Sequence, residues 1–501
     1  MSTHQKEGMR ATRRVRFHLL AATLLCLAGR AAGAEDYWSY ADGDIQVTTY
    51  EGAGYTASLA RDLARFNKVL IRILQLPEGH MPVRIYELSP EQARQLLGGS
   101  AGGASYKFSG YDVSVVTSEG QDQQNRYWGA LFGYTGALFL NGWTSRSPYW
   151  FKVGVPALFA HTEFETSKVK TGGVAPGFVW TLQNGKRIPM RTFLRLQGTD
   201  PQVQSSSALK SIFEAQSWYL AHEIYVEGKL RPEFFQYLAL IRDGKTEPDA
   251  FAASFKISYE DLDKVLSEAM KEQPHVFVVN EPPAGVTGQA PRKLTISETK
   301  AMLADLSLQW GHRPDALRLA AEALQGDTNN ELALRVQARG KLRDGDFSGA
   351  FANADKLVGL SAVSAAALTD IGDVFVKLAD EVGRKQAAIG VTADELNQRA
   401  RDAYHRAIGL DPEYLRAWAG LAYLYGSQRD AAAAKELAEK AEPVMEAHLN
   451  SGALARALAT MCGRTGQTHA AFLFGEYWRD DALTPADLDA AMAFIAQLRA
   501  Q

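Results

Sequence analysis

The sequence predicts two folds in series: an α+β front half over about residues 35–272 and an all-α stack of helical hairpins over 294–501. Three observations carry this reading. Apolar residues in the front half switch between strand-like alternation and helical spacing. The back half is rich in alanine and repeats itself at an interval of 34 residues. Between them, over 273–293, the pattern breaks at Pro274, Pro282, Pro283 and Pro291, which reads as a linker. A chain of 501 residues is in any case too long for one hydrophobic core.

Apolar residues make up 46% of the chain and charged residues 22%, ordinary for a globular protein, and the net charge of −3 offers no basic field for nucleic acid. At the start, Arg10, Arg13, Arg14 and Arg16 precede an apolar run from Phe17 to Ala28 and then the small residues Ala32, Gly33 and Ala34. This is the layout of a secretory signal over 1–34, cleaved before Glu35, and it places the mature protein in the periplasm or outside the cell. The run is shorter than the roughly 20 residues a bilayer requires, so no stable span is expected after cleavage. Cys26 falls inside the signal. Cys462 is then the single cysteine of the mature chain, with no disulfide partner and the context of a small core residue.

In the front half, Ile45 to Tyr50 alternates as a strand, and Ala57 to Leu76 spaces Leu63, Phe66, Val69, Leu70, Ile73 and Leu74 as a helix. Val83 to Tyr86 and Tyr111 to Thr117 are further strands. Tyr127 to Trp143 is apolar nearly all round, with glycines at 129, 133 and 136, and predicts a helix buried on every side. Helices follow at Pro148 to Thr162, Ser206 to Glu227, Pro232 to Asp243 and Tyr259 to Lys271. Val276 to Val279 suggests a short strand returning to the front half.

Beyond Leu294, Ala316 and Ala350 stand 34 residues apart, as do Ala400 and Ala434, each where two helices of a hairpin would cross. Ala400, Tyr404, Ala407, Ile408, Leu410 and Pro412, followed by Trp418, Leu421, Ala422 and Tyr425, resemble the tetratricopeptide family. Weaker copies keep the turn before the second helix at Gly345-Asp346-Phe347 and Gly311-His312-Arg313. Ala350 and Ala400 are 50 residues apart, so about 16 residues are inserted in the middle unit, placed at Asp380 to Glu395. A last hairpin around Ser451 to Tyr477 would cap the stack. Such hairpins bury their apolar faces only by stacking, which leaves a concave groove, and the resemblance implies that the groove binds a peptide or protein. Arg335, Arg339 and Arg343 recur every fourth residue and so form one basic stripe on a helix. With Tyr423 they are the candidate partner-binding residues, set against the plain alternative of a solvated face.

The stretch from Asp36 to Glu272 is similar to the gluzincin-type, thermolysin-like zinc peptidases, in the version found fused to tetratricopeptide repeats. The similarity rests on the order of Ile45-Gln46-Val47, the helix to Leu76, the buried helix at Tyr127, Pro148-Tyr149-Trp150-Phe151 with Gly154, Ala215-Gln216-Ser217-Trp218, and Ala250-Phe251 with Phe255. In that family two histidines four residues apart bind zinc, with a glutamate between them as general base. The aligned positions here are Phe132, Gly133 and Gly136, and the third ligand falls on Val153. None of these side chains donates to Zn²⁺, so the resemblance implies a domain that keeps the fold and has lost the metal. His161, Glu163, His222 and Glu223 are the residues from which a relocated zinc site would be built, the alternative reading being an active zinc peptidase. Trp128, Tyr149 and Trp150 would line an old substrate cleft. No phosphate-binding loop, nucleophile elbow or Cys-His pair is present. The expectation is an exported, non-catalytic binding scaffold of the cell envelope with no cofactor.

Overall fold

The structure is a computed structural model and describes residues 36–42, 45–74, 82–98, 104–108, 113–117, 123–142, 147–270, 274–281, 290–448, 451–482 and 485–500. The signal-type segment with Cys26, and the prolines at 282 and 283, lie outside the described residues.

Five strands, β1 (Trp38–Asp42), β2 (Ile45–Thr49), β3 (Val83–Glu87), β4 (Ala104–Phe108) and β5 (Val113–Thr117), lie in the order β4-β5-β3-β2-β1. The centre of this sheet, β2, β3 and β5, is parallel. Parallel strands are covered on both faces, and β5 is accordingly buried at every position. β1 and β4 were not legible in the sequence, since they are short edge-side strands carrying Ser39 and Lys107 without clean alternation. Helix α1 (Ala53–Leu74) lays Leu59, Leu63, Phe66 and Leu70 into the core, at the helical spacing read from the sequence.

After α2 (Pro90–Leu97), the apolar stretch forms α3 (Gln123–Gly142), which packs on α4 (Tyr149–Ala160). Three short helices intervene, α5 (Pro176–Asn184), α6 (Met190–Phe193) and α7 (Pro201–Ser205), before α8 (Ser207–Tyr225). α8 lies so close to α4 that a Cβ on Gly154 would collide with the Ser217 carbonyl. That contact gives the glycine at 154 a packing reason. α9 (Arg231–Arg242), α10 (Glu247–Ser254) and α11 (Tyr259–Ala269) complete the front half.

The proline-rich connector is tied down at several points. The strand expected near Val276 is β8 (Phe277–Asn280), which pairs with β7 (Lys168–Thr171), and β7 pairs in turn with β6 (Glu163–Phe164). Arg65, 5% exposed, donates from Nε and Nη2 to the Glu281 carbonyl at 3.0 and 2.7 Å, and from Nη2 to the Glu165 carbonyl at 2.7 Å. A buried guanidinium spent on carbonyls satisfies backbone groups that an irregular segment leaves open. Arg292 and Lys293 form β9 (Arg292–Lys293) against β1, adding a sixth strand to the large sheet. The next helix, α12 (Ile296–Gln309), starts at a capping box of Thr295 and Glu298 and puts Met302 and Leu306 into a cluster with Tyr37, Tyr86, Leu88, Ala93, Leu96 and Val116. The first helix of the repeats thus shares a core with the front sheet.

The back half is a series of hairpins: α12 with α13 (Arg313–Gly326), α14 (Glu331–Asp344) with α15 (Phe347–Val358), α16 (Ala365–Gly383) with α17 (Ala393–Leu410), α18 (Leu415–Gln428) with α19 (Ala431–Ala447), and α20 (Gly452–Arg464) with α21 (Thr468–Asp480). Ala316, Ala350, Ala400 and Ala434 are all 0% exposed at the helix crossings. This is the arrangement the tetratricopeptide resemblance implies. The inserted residues lengthen the third hairpin on both sides of its turn, and Thr392 and Glu395, at the end of the insert, form the capping box that starts α17. The stack closes on one more helix, α22 (Pro485–Arg499), packed on α21, where the sequence had placed the cap on the hairpin before it. Cys462 is buried and unpaired, and burial pushes its thiol up to about 12, as suits a core residue. Among the described residues no helix is long and apolar enough to cross a membrane.

Candidate functional site

The first helices of the hairpins, α12, α14, α16, α18 and α20, pack on one another in sequence and form the inner layer of the solenoid. The basic stripe read on α14 belongs to this layer, and the structure gives its members separate surroundings. Arg335, with 14% of its side chain exposed, donates from Nε to Asp370 Oδ2 at 2.8 Å. Arg339 Nη1 lies 3.6 Å from the same oxygen and 3.5 Å from Asp305 Oδ1. Arg416 of α18 reaches Asp370 Oδ1 at 2.7 Å and Asp373 Oδ2 at 2.5 Å, and Tyr404 donates to Asp373 Oδ1 at 2.8 Å. Asp370 is 1% exposed. Burial alone would lift its carboxyl, but Arg335, Arg416 and Arg339 hold it well below the usual carboxylate range. Two of the three arginines of the stripe are therefore struts between successive repeats. Arg343 is the third. It is exposed, makes no ion pair among the described residues, and burial together with Arg339 and Arg313 depresses its pKa.

The open part of the layer lies further along, between α16, α18 and α20. A groove of about 540 Å³ runs there over a floor of small residues, among them Ala419, Gly420, Ala453 and Ala457. Gly420 and Gly372 are required by packing: a Cβ on either would enter the ring of Tyr404, which is clasped between the two helices. Lys377, Arg416, Arg456 and Arg464 line the walls, together with Tyr423, which is 43% exposed. Lys377 Nζ sits 5.5 Å from the centre of the Tyr423 ring, a cation–π pair at the solvent edge. Arg456 lies 3.2 Å from Asp487 and over Trp478, while Arg464 is exposed with no ion pair among the described residues. The one carboxylate on the wall, Asp373, is engaged by Arg416 and Tyr404. The groove is thus cationic, with a small-residue floor and one exposed aromatic ring. Of the residues singled out in the sequence as partner-binding, only Tyr423 lines it. Lys377, Arg456 and Arg464 were missed because they are single charges on separate turns of different helices, with no spacing to mark them.

In the front half, Phe132, Gly133 and Gly136 lie on α3 and Val153 on α4, two helices in contact. Gly133 and Gly136 are buried, and Phe132 and Val153 pack against the core partly buried. The four residues considered for a relocated site are spread over different surroundings. His161 ends α4 with its ring 4.4 Å from that of Trp128, and burial lowers its pKa. Glu163 is exposed on β6. His222 is fully buried on α8 and donates from Nε2 to the His275 carbonyl at 3.1 Å, while Glu223 lies 3.5 Å from Lys229. No three His, Cys, Asp or Glu side chains among the described residues are grouped to hold a metal ion. Trp150 does not line an open cleft: it is 0% exposed, with Phe151 and Phe234 edge-on at 5.6 and 5.9 Å. Tyr149 is stacked on Phe213 at 5.1 Å.

No protein-family model matches the chain, and no curated protein matches it. Among solved structures, it is similar to a thermophilic TPR protein of Thermus thermophilus at 17% identity, with a TM-score of 0.32, over 41% of this chain and 100% of that one. It is also similar to PilW, a widely conserved type IV pilus biogenesis factor, at 18% identity and a TM-score of 0.30 over 42% and 94% of the two chains. A third similar structure is YrrB, a TPR protein with an unusual peptide-binding site, at 13% identity and a TM-score of 0.28 over 39% and 92%.

Proposed function

We propose that this protein is a binding scaffold whose repeat groove takes an acidic, extended segment of a partner protein. The observation that carries the reading is the cationic groove over the small-residue floor at Ala419, Gly420, Ala453 and Ala457. An extended backbone with small side chains fits such a floor, and carboxylates of the partner meet Lys377 and Arg464. Tyr423 contributes an aromatic contact.

The rest of the reading rests on the sequence. The N-terminal segment supports export to the periplasm or beyond, and the resemblance to gluzincin-type peptidases supports a front half that is a non-catalytic relative of those enzymes. Phe132, Gly133, Gly136 and Val153 supply no ligand; His222 and Glu223 lie 3.7 Å apart, but with His161 and Glu163 they form no group of three able to hold an ion among the described residues.

Fluorescence anisotropy with a labelled Glu/Ala peptide and its Lys/Ala counterpart tests the groove. The acidic peptide binds and the basic one does not, and the affinity falls steeply with salt. Equal binding of both peptides, or binding indifferent to Lys377→Glu with Arg464→Glu, sinks the proposal.

A further inference from the structure

We propose that the front half carries a second, separate site: a pocket at the start of α4 that receives an oxyanion, phosphate or carboxylate, borne by a small organic molecule. The pocket has a volume of about 550 Å³ and lies between the start of α4, the segment following α6 and the turn joining α9 to α10.

Three independent features converge on it. The first is a helix terminus. α4 begins after Pro148, which offers no side-chain cap, and Ser147, Pro148 and Lys152 all line the pocket. The positive end of a 12-residue helix therefore opens there without a side-chain acceptor at its cap position. The second is charge. Arg195 and Lys245 line the pocket, and the one carboxylate among the lining residues, Glu247, is already held by Arg195 Nε at 2.5 Å and the Tyr259 hydroxyl at 3.0 Å. Lys245 is exposed and makes no ion pair among the described residues. The third is a buried donor. Tyr237 lines the pocket, is 0% exposed, and its hydroxyl has no acceptor among the described residues. The neighbouring Trp150 indole can only donate toward that oxygen, so the phenol's own proton stays unused. Burial and then the charge of Glu247 raise its pKa, so the phenol keeps its proton at physiological pH and remains a donor. A buried hydroxyl without an acceptor costs stability, and an acceptor in the pocket removes that cost.

A helix N-terminus, the unmatched Lys245 and an unused O–H donor all favour one ligand chemistry, an oxygen anion. The volume exceeds that of a bare ion and suits a molecule that carries the anion on a small body.

The test is calorimetric titration of the full chain with inorganic phosphate and, separately, with acetate, alongside thermal unfolding. Saturable binding at one site is expected; phosphate alone, or acetate alone, identifies which anion the pocket favours. Tyr237→Phe weakens binding about tenfold or more. Lys245→Glu, a surface change, weakens binding without altering unliganded stability. Lys377→Glu with Arg464→Glu leaves binding unchanged, which separates this site from the repeat groove. No binding of either ion up to about 10 mM, or binding untouched by both Tyr237→Phe and Lys245→Glu, overturns the proposal.

Discussion

The solenoid's inner layer contains two stretches built from the same kind of helix and the same kind of residue, and they do opposite things. Around α14 and the start of α16, Arg335 and Arg339, with Arg416 from α18, converge on Asp370, and the charges close on each other. Between α16, α18 and α20, Lys377 and Arg464 face a groove whose one lining carboxylate, Asp373, is already engaged. The comparison teaches that an inward-facing cation is a strut or an open charge according to whether the next repeat supplies a carboxylate at its height. A buried pair holds repeats in register, and an unmatched cation stays open to solvent.

The closed stretch breaks most severely at its centre. Asp370→Asn leaves the guanidiniums of Arg335, Arg339 and Arg416 partly buried with their shared anion gone, and is expected to cost about 3–5 kcal/mol in denaturant unfolding. The pH dependence has a definite sign. Because the folded state depresses the Asp370 pKa, its contribution is present at neutral pH and lost only as pH falls below the unfolded value of about 3.9 toward the lower folded value. Loss of stability between pH 8 and 6 that disappears in Asp370→Asn would contradict this assignment.

A partly buried carboxylate without an arginine sharpens the contrast. Asp481, at the end of α21, is pushed up to about 6, chiefly by burial, with Ser451 opposing. Here the folded pKa is raised, so the stabilising contribution is present below the unfolded value and lost as pH rises through about 6. Asp481→Asn should raise stability at pH 7 by an amount on the order of 2 kcal/mol and change little at pH 4, as read by thermal unfolding at the two pH values.

At the border of the two stretches, Gly420→Ala forces a methyl group into the Tyr404 ring and is expected to cost about 1–3 kcal/mol. A neutral result in denaturant unfolding would mean that the clasp on Tyr404 is looser than described. The smallest effect on stability belongs to the open stretch. Lys377→Glu with Arg464→Glu should shift unfolding by no more than about 0.5 kcal/mol per site while abolishing binding of an acidic peptide. A large loss of stability in this pair would move the open stretch into the structural class.

Much of the architecture was legible in local pattern. The 34-residue interval placed Ala316, Ala350, Ala400 and Ala434 at crossings where only a methyl fits, and all four are buried. The glycine-bearing apolar run at Tyr127 and the helical spacing up to Leu74 formed helices at those places. β1 and β4 were not legible, because strands at or near a sheet edge need little hydrophobic patterning. The connector was legible as a break in pattern, and β8 as a short strand returning to the front half; the attachments through Arg65 and β9 were not, since those bonds join residues far apart in the chain.

The sequence by itself determined the period, the crossing alanines and the strand and helix faces. Tertiary structure alone decided the fate of each charge. Arg335 and Arg343 are indistinguishable members of one helical stripe in the sequence, yet one is locked to Asp370 from the next repeat and the other lies exposed. The physical reason is that helix patterning is local, reaching three or four residues, whereas the free energy of a cation depends on which anion and how much water surround it, and those are set by helices that meet only when the chain is folded.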